Sequence, residues 1–311
     1  MDDIGPKIRP LLVHFKETLG YTTARAVNNR DAIYEGMRRE ADAMGIPYPE
    51  GSQTWVSFET GVNYACFCFA GLSLGARIFA GILTWVAIIV DDSAKADAEQ
   101  WYQFTPRFLA GAKQPNVIAQ GWDRCIRQSY QHYSPIAANF IITSCLNFTN
   151  ASALEGAEIP KMTRTAGGQS WPYYIRDKNG LAEAYAWMTF QKETCPDFSN
   201  FIQVIPDMAK YLCLANDVLS FYKEECSRET DNYMHDRASC EGISVYEVFR
   251  QVVEEVANVH HGISLALRGK TPYAEVWHDH ALGYVSMHTT SSRYRLRDLG
   301  LDEVAPQSHP R

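Results

Sequence analysis

Apolar residues recur at helical spacing through most of the chain, and this pattern predicts a protein built from α-helices. Two neighbouring segments, 57–74 and 76–90, are so strongly apolar that we expect both to be interior helices. Further helices are predicted over 22–43, 99–112, 117–133, 136–155, 173–192, 198–224, 243–267 and 274–290. Long loops are predicted over 159–171 and 225–242, and Asn179-Gly180 interrupts the helix over 173–192.

The chain shows neither strand alternation nor a hairpin signal, and no repeat or linker marks a domain boundary. We therefore predict one all-α domain over residues 1–311, with about ten or more helices. Ligand sites in helical bundles lie between facing helices, so a central cavity is expected. The ends, 1–10 and 300–311, are expected to be flexible.

Composition narrows the class of protein. Hydrophobic residues make up 46% of the 311 residues and charged residues 21%, values typical of a globular chain rather than a disordered one. The formal net charge of -7 argues against a nucleic-acid partner, because neutralising phosphates needs a broad basic surface.

The sequence also argues against export and membrane insertion. The acidic start lacks the apolar core of a signal peptide, so we expect a cytoplasmic protein in which most of the eight scattered cysteines are reduced. The longest apolar stretch, 78–90, is short for a membrane span and leads into Asp91-Asp92. It is better interpreted as a core helix.

A polar stripe within an apolar segment is the first candidate for chemistry. On a helix, Asn216, Ser220 and Glu224 fall within about 80° of arc, and Lys223 lies beside them. Oxygen donors of this kind suit Mg²⁺, which usually also takes water and substrate phosphate oxygens. A solvated helix face is the simpler interpretation, but the apolar residues around the stripe favour an interior cavity.

Asp91 and Asp92 supply a second candidate. Two adjacent carboxylates at the end of an apolar helix repel one another unless a cation lies between them. The negative end of the helix dipole disfavours them further. A divalent metal is the simplest remedy, so both are candidate ligands.

Taken together, these motifs resemble those of class I terpene cyclases, and within them the fungal trichodiene synthase family. The resemblance rests on Asp91-Asp92-x-x-x-x-Asp97, on Asn216-Asp217-x-x-Ser220-x-x-x-Glu224, on 174–181 and on 292–295. It implies a class I terpenoid synthase helical bundle around an active-site cavity. It also implies a Mg²⁺-dependent sesquiterpene cyclase that acts on farnesyl diphosphate, an isoprenoid diphosphate, and a possible homodimer.

The resemblance further implies a role for each matching residue. Asp91 would ligate two of three Mg²⁺ ions, and Asn216, Ser220 and Glu224 would hold the third. Arg176 would sense the diphosphate, with Asn179 as the linker and Gly180 as the effector whose carbonyl faces the reacting allyl group. The remaining diphosphate donors would be Lys223, Arg293 and Tyr294. The spacing Ser93-Ala94-Lys95-Ala96 departs from the tighter aspartate cluster of the family's trichodiene synthases.

A carbocation released in the cavity would need apolar and aromatic walls. The candidates are Phe58, Tyr64, Trp85, Phe148, Trp187, Trp277 and Tyr284. Trp85 is the first choice, because it lies nearly two turns before Asp91.

Two alternative functions remain open on the sequence. A chain-elongating prenyltransferase also carries an aspartate-rich helix, but it would need a second such motif where this chain has 216–224. A catalytically silent helical binding protein of the same fold is the other alternative, and intact metal ligands argue against it.

Overall fold

The computed structural model describes residues 4–25 and 27–304, and it confirms the all-α prediction. Within these residues the chain forms fifteen α-helices and no β-strand. The helices are α1 (Gly5–Thr18), α2 (Arg30–Met44), α3 (Gln53–Phe67), α4 (Leu74–Ala96), α5 (Ala98–Tyr102), α6 (Phe104–Ala110), α7 (Val117–Arg127), α8 (Ser129–His132), α9 (Pro135–Ala157), α10 (Trp171–Asn179), α11 (Ala182–Thr189), α12 (Ile205–Ser227), α13 (Tyr233–Glu241), α14 (Val245–Ala266) and α15 (Tyr273–Thr289). Short 3₁₀ turns lie at Ile159–Lys161, Ala166–Gly168, Phe198–Asn200, Ile202–Val204, Ser292–Tyr294 and Leu296–Leu299.

Serine caps fix where the apolar helices begin. Ser52 Oγ accepts a hydrogen bond from the Trp55 N–H at the start of α3, and Ser73 Oγ accepts one from the Ala76 N–H at the start of α4. Ser134 caps α9 in the same way, with a proline directly after it. Each cap satisfies an N–H that has no partner within the helix and contributes about 1 kcal/mol.

Helix α4 lies at the centre of the fold, where it packs against α2, α3, α7 and α9. Among the described residues, it is the one helix long and apolar enough, by length and composition, to cross a membrane. However, 72% of its most apolar window is buried inside the protein. This burial is typical of a core helix, as the sequence predicts.

Two glycines allow α3 and α4 to approach closely. A Cβ atom on Gly61 of α3 would lie 2.4 Å from the carbonyl oxygen of Gly81 on α4. A Cβ atom on Gly81 would lie 2.4 Å from the Met37 sulfur of α2. Real Cβ atoms are not found at these separations, so a side chain at Gly61 would have to displace the backbone of α4, whereas one at Gly81 would have to displace the Met37 side chain.

Several helix boundaries differ from the sequence prediction. Helix α4 continues to Ala96, so Asp91 and Asp92 lie within its last two turns rather than at its end. Helix α2 begins only at Arg30, because Asn29 before it has a left-handed backbone (φ 61°). The loop predicted over 225–242 is wrong in its second half, which forms α13.

The flexibility expected for 1–10 and 300–311 stays a prediction, although residues 5–10 are helical. These residues form the first turns of α1, and the Ile8 side chain is fully buried. At the other end, the Glu303 carboxylate forms an ion pair with Lys16, with 2.6 Å between nitrogen and oxygen. Residues 1–3 and 305–311 lie outside the described residues, and a single domain over 1–311 stays a prediction.

Replacing the glycine at the α3–α4 contact is expected to destabilise the protein. We expect Gly61→Ala to lower the free energy of unfolding by about 1–3 kcal/mol, because the added methyl group displaces backbone in a packed core. The control is Gly262→Ala in α14, where a Cβ atom would meet nothing within 4 Å. Gly262→Ala should raise the free energy of unfolding by about 0.5–1 kcal/mol, because alanine favours a helix interior more than glycine does. Urea unfolding followed by circular dichroism measures both; equal effects would contradict the packing argument.

Candidate active site

A cavity of about 1050 Å³ opens between the helices. Its apolar and aromatic lining residues include Tyr64, Ala87, Ile88, Phe148, Leu181, Tyr185, Tyr284 and Met287. Its charged and polar lining residues include Asp91, Asp92, Lys95, Glu155, Arg176, Asn179, Asn216, Asp217, Ser220, Lys223, Glu224, Arg293 and Tyr294. The cavity lining thus combines apolar and aromatic side chains with many charged groups.

The predicted stripe on α12 forms part of this wall. Asn216, Ser220, Lys223 and Glu224 all line the cavity. The Ser220 hydroxyl donates to Glu224 Oε1 at 2.6 Å, so the two oxygen donors lie side by side. Asn232 Nδ2 donates to Glu224 Oε2 at 3.1 Å and holds the carboxylate from its other side.

Apolar residues between the polar ones hold α12 in this orientation. Val218, Leu219 and Phe221 are buried, and the Phe221 ring stacks on Phe249 of α14 with 4.6 Å between ring centroids. The buried apolar side chains fix the rotation of the helix, which turns the polar stripe toward the cavity.

Asp91 and Asp92 line the same cavity from α4. Asp91 Oδ2 pairs with Lys95 Nζ at 2.8 Å, one turn further along the helix. Partial desolvation and the Asp91 charge raise the pKa of Asp92, while the charges of Arg293, Lys95 and Lys223 lower it. The net effect is a raised pKa for Asp92, and basic side chains of α12 and of the Ser292–Tyr294 turn lie close enough to act on this carboxylate.

Arg176 on α10 lies at the centre of the polar wall. Its Nε donates to Asp217 Oδ1 at 2.8 Å and to Oδ2 at 3.0 Å. Its Nη2 donates to the Cys213 carbonyl and to Asn216 Oδ1, both at 3.1 Å, and its Nη1 donates to Asn179 Oδ1 at 3.3 Å. The guanidinium therefore joins α10 to α12.

The Arg176–Asp217 ion pair is buried, with side-chain exposures of 14% and 9%. Desolvation is the largest single effect and lowers the pKa of Arg176, but the Asp217 charge, the Cys213 charge and the hydrogen bond to Asp217 together outweigh it, so the pKa of Arg176 is raised. Burial raises the pKa of Asp217 to about 6, against the opposing effect of Arg176. At neutral pH both groups are charged.

The break between α10 and α11 lies where the sequence predicts it. Gly180 follows the last residue of α10, and Leu181 has a left-handed backbone with φ 52°. A Cβ atom on Gly180 would lie 2.7 Å from Cys213 Sγ and 2.9 Å from Arg176 Nη1. Glycine is needed here because the chain passes close to α12.

Arg293 and Tyr294 reach the cavity from the short turn after α15. The Tyr294 side chain is buried, and its ring packs against His288 with 4.1 Å between centroids. All the predicted metal-ligand and diphosphate-binding residues therefore line one cavity, together with Asn179 and Gly180.

Trp85 is the exception among the predicted site residues, because it lies in the packed core and not in the cavity wall. Its Nε1 donates to the Thr54 carbonyl at 3.0 Å, and its ring packs edge-on to Phe58 at 5.6 Å. Six residues before Asp91 correspond to about 240° around the helix, so the two side chains point to different faces. Thr84 and Ile88 occupy the cavity-facing positions instead.

Of the other aromatic and acidic candidates, some line the cavity and others lie outside its wall. Tyr64, Phe148 and Tyr284 line the cavity. The lining residues do not include Phe58, Trp187, Trp277 or Asp97. Asp97 directly follows the last residue of α4 and is exposed.

Three polar residues around the site were missed by the sequence reasoning: Asp217, Glu155 and His288. Asp217 lies within the second motif, but its pairing with Arg176 becomes visible only in the fold. His288 belongs to no motif in the sequence, and its hydrogen bonds to Asn216 and to the Tyr284 carbonyl become visible only in the fold.

Glu155 lies near the end of α9 and accepts a hydrogen bond from Asn179 Nδ2. Gly156 brings this end of α9 against α4, since its Cβ atom would lie 2.4 Å from the Ala94 carbonyl oxygen. The pKa of Glu155 is raised, because desolvation and the Asp91 charge together outweigh the lowering effect of the Lys95 charge. Glu155 thus connects the helix break to the Asp91 side of the cavity.

The polar residues of the cavity provide oxygen ligands for a hard cation, but no single helix provides more than a few of them. In the part of the chain that the structure describes, no cluster of three or more His, Cys, Asp or Glu side chains is placed to hold a metal. The α12 face contributes one carboxylate with an amide and a hydroxyl, and α4 contributes its carboxylates separately. Oxygen ligands of this kind fit Mg²⁺, which takes its other positions from water and phosphate.

Comparison with known proteins gives consistent matches. The family described as trichodiene synthase (TRI5) matches residues 43–308. The chain is 32% identical to Terpene synthase BipA from Cochliobolus sativus, over 94% of this chain and 90% of that protein. It is 30% identical to Longiborneol synthase CLM1 from Gibberella zeae, over 98% of this chain and 91% of that protein. A solved linalool/nerolidol synthase from Streptomyces clavuligerus has a similar fold, with a TM-score of 0.65 and 12% identity, over 86% of this chain and 98% of that one.

Removing one partner of the buried Arg176–Asp217 ion pair is expected to destabilise the protein. We expect Asp217→Asn to lower the free energy of unfolding by about 3–5 kcal/mol, because it leaves the Arg176 charge buried without a counter-ion. The control, Lys161→Gln, breaks the exposed pair with Glu158 and should change stability by less than about 1 kcal/mol. Urea denaturation at pH 7 measures both, and similar effects from the two variants would show that the buried pair has no special role.

Proposed function

The chain belongs to the trichodiene synthase family, and we propose that it is a Mg²⁺-dependent sesquiterpene cyclase. Its relatives named above are terpene synthases, enzymes that make terpenes from prenyl diphosphates. The proposed reaction ionises farnesyl diphosphate, releases diphosphate and cyclises the carbocation to a terpene hydrocarbon or alcohol. One observation carries the proposal: Asp91 and the Asn216, Ser220 and Glu224 stripe line one cavity together with basic side chains.

The metal ligands would come from two helices. Asp91, with Asp92 beside it, would bind metal from α4, and Asn216, Ser220 and Glu224 would bind it from α12. We propose three Mg²⁺ ions, as in the family to which the chain belongs. When bound, Mg²⁺ supplies positive charge that stabilises the leaving diphosphate.

The chain's own cations would bind the diphosphate. Arg176, Lys223 and Arg293 line the cavity, and Tyr294 adds a hydroxyl donor beside them. Arginine suits this task because its planar guanidinium can bind phosphate oxygens in pairs. These groups stabilise negative charge as the carbon–oxygen bond breaks and its electron pair passes to the diphosphate.

The apolar wall would then protect the carbocation from water. Tyr64, Phe148, Tyr185 and Tyr284 present aromatic rings around the cavity. Their π faces stabilise positive charge without supplying a nucleophile, unlike bulk water. The released diphosphate can accept the final proton.

A chain-elongating prenyltransferase is less well supported. The second polar face has Asn216 and Ser220 where such an enzyme needs aspartates, and the relatives named above are terpene synthases. A catalytically silent protein of the same fold is also not favoured, because all the proposed ligands line the cavity. A homodimer and a cytoplasmic location stay predictions.

The direct test is incubation of the purified protein with geranyl, farnesyl and geranylgeranyl diphosphates, with Mg²⁺ or with a chelator. We expect a cyclic C15 product from farnesyl diphosphate by gas chromatography and mass spectrometry, and none with the chelator. Absence of a terpene from all three substrates would overturn the proposal. A longer prenyl diphosphate as product would favour the transferase.

A matched pair of variants links this activity to α12. Glu224→Gln should lower kcat at least about 100-fold, because it removes the carboxylate of the proposed ligand set. Glu225→Gln changes the adjacent residue, which pairs with His235 and is not among the cavity residues, and it should retain activity. Full activity of the Glu224 variant would remove this residue from the mechanism.

A further inference from the structure

A fully buried histidine makes direct contact with one of the proposed metal ligands. His288 lies on α15, and its side chain has no exposed surface. Its Nε2 lies 3.2 Å from Asn216 Nδ2, and its Nδ1 lies 2.8 Å from the Tyr284 carbonyl oxygen. The imidazole therefore stands between a backbone carbonyl and the amide of Asn216.

The chemistry of these groups fixes the direction of both hydrogen bonds. A carbonyl oxygen can only accept, so His288 Nδ1 must carry the ring proton and donate it to Tyr284. In the neutral ring, Nε2 then has a free lone pair and can only accept. Asn216 Nδ2 is a donor and supplies that hydrogen. The two contacts thus fit one tautomer of one neutral histidine.

This arrangement determines which end of the Asn216 amide is free to bind a metal. Mg²⁺ takes the amide oxygen and not the nitrogen. With Nδ2 held by His288, Oδ1 is directed the other way, where it accepts a hydrogen bond from Arg176 Nη2 at 3.1 Å. A flipped amide would set Oδ1 against the His288 lone pair and Nδ2 against the guanidinium, so it would lose both bonds.

Aromatic packing prevents the imidazole from leaving this position. The ring centroids of Tyr284 and Tyr294 lie 4.6 Å and 4.1 Å from that of His288. Both tyrosines line the cavity, whereas His288 is not among the lining residues. His288 therefore acts on the site through Asn216 and not through contact with a substrate.

We propose that His288 is a positioning residue that holds Asn216 with its amide oxygen toward the metal. The inference rests on the proposed function, since it assigns Asn216 as a Mg²⁺ ligand. Removing a hydrogen-bond partner that orients a metal-ligating side chain typically lowers metal affinity or activity by about 10–100-fold.

The test uses two replacements of His288. His288→Phe keeps an aromatic ring between the two tyrosines and removes the acceptor. His288→Gln keeps an acceptor that can reach Asn216. We expect the Mg²⁺ concentration for half-maximal activity to rise about 10–100-fold in the phenylalanine variant and to return toward the wild-type value in the glutamine variant.

A binding measurement provides a second readout. Titration of Mg²⁺ in the presence of inorganic diphosphate should raise the Tm of the wild-type protein, and His288→Phe should need about 10–100-fold more Mg²⁺ for the same shift. The control is His280→Phe on the same helix, which removes a fully buried histidine bonded to Thr189 and should leave the Mg²⁺ requirement unchanged.

A double variant separates positioning from a general structural role. In Asn216→Asp both ends of the side chain are oxygens, so its orientation no longer matters. We expect His288→Phe to cause no further rise in the Mg²⁺ requirement in that background, within about threefold. The same rise in both backgrounds, or an unchanged Mg²⁺ requirement in His288→Phe itself, would overturn the inference. No diphosphate-induced shift in the wild-type protein would instead overturn the proposed function.

Discussion

The buried ion pair between Arg176 and Asp217 is the interaction on which the arrangement of the site depends. A guanidinium is costly to bury unless its donors are satisfied, and here each of its three nitrogens has an acceptor. Those acceptors belong to α10 and α12, so the charge joins the two helices. The same requirement excludes a side chain at Gly180, where a Cβ atom would meet the guanidinium.

The hydrogen bonds continue from this pair across the site. Arg176 donates to the oxygen of Asn216, and the nitrogen of Asn216 donates to His288, which donates to the Tyr284 carbonyl. On the other side, Arg176 bonds to Asn179, which in turn bonds to Glu155 near the end of α9. A continuous polar network thus spans α9, α10, α12 and α15. In the proposed function, this network holds the ligand and diphosphate-binding groups in place before a substrate arrives.

The sequence predicts the helical class, the apolar character of α4 and the stripe on α12, because each depends on local periodicity. It also predicts the break at Asn179-Gly180, where glycine and asparagine disfavour a continuous helix. It fails where the outcome depends on contacts between distant segments. The distance of Trp85 from Asp91 along the helix predicts a place in the cavity wall, but its indole packs against Phe58 of α3. The roles of Asp217, Glu155 and His288 follow from partners that are 24 to 72 residues away in the chain.

We propose that the carboxylates of α4 and the stripe of α12 bind one metal–diphosphate group across the cavity. The most direct measurement is an anomalous difference map from a crystal grown with Mn²⁺ in place of Mg²⁺ and with inorganic diphosphate. We expect one peak bound by Asn216, Ser220 and Glu224, at least one further peak at Asp91, and diphosphate density between them in contact with Arg176. Diphosphate bound without a peak at either face, or peaks confined to another part of the protein, would show that the proposal is wrong.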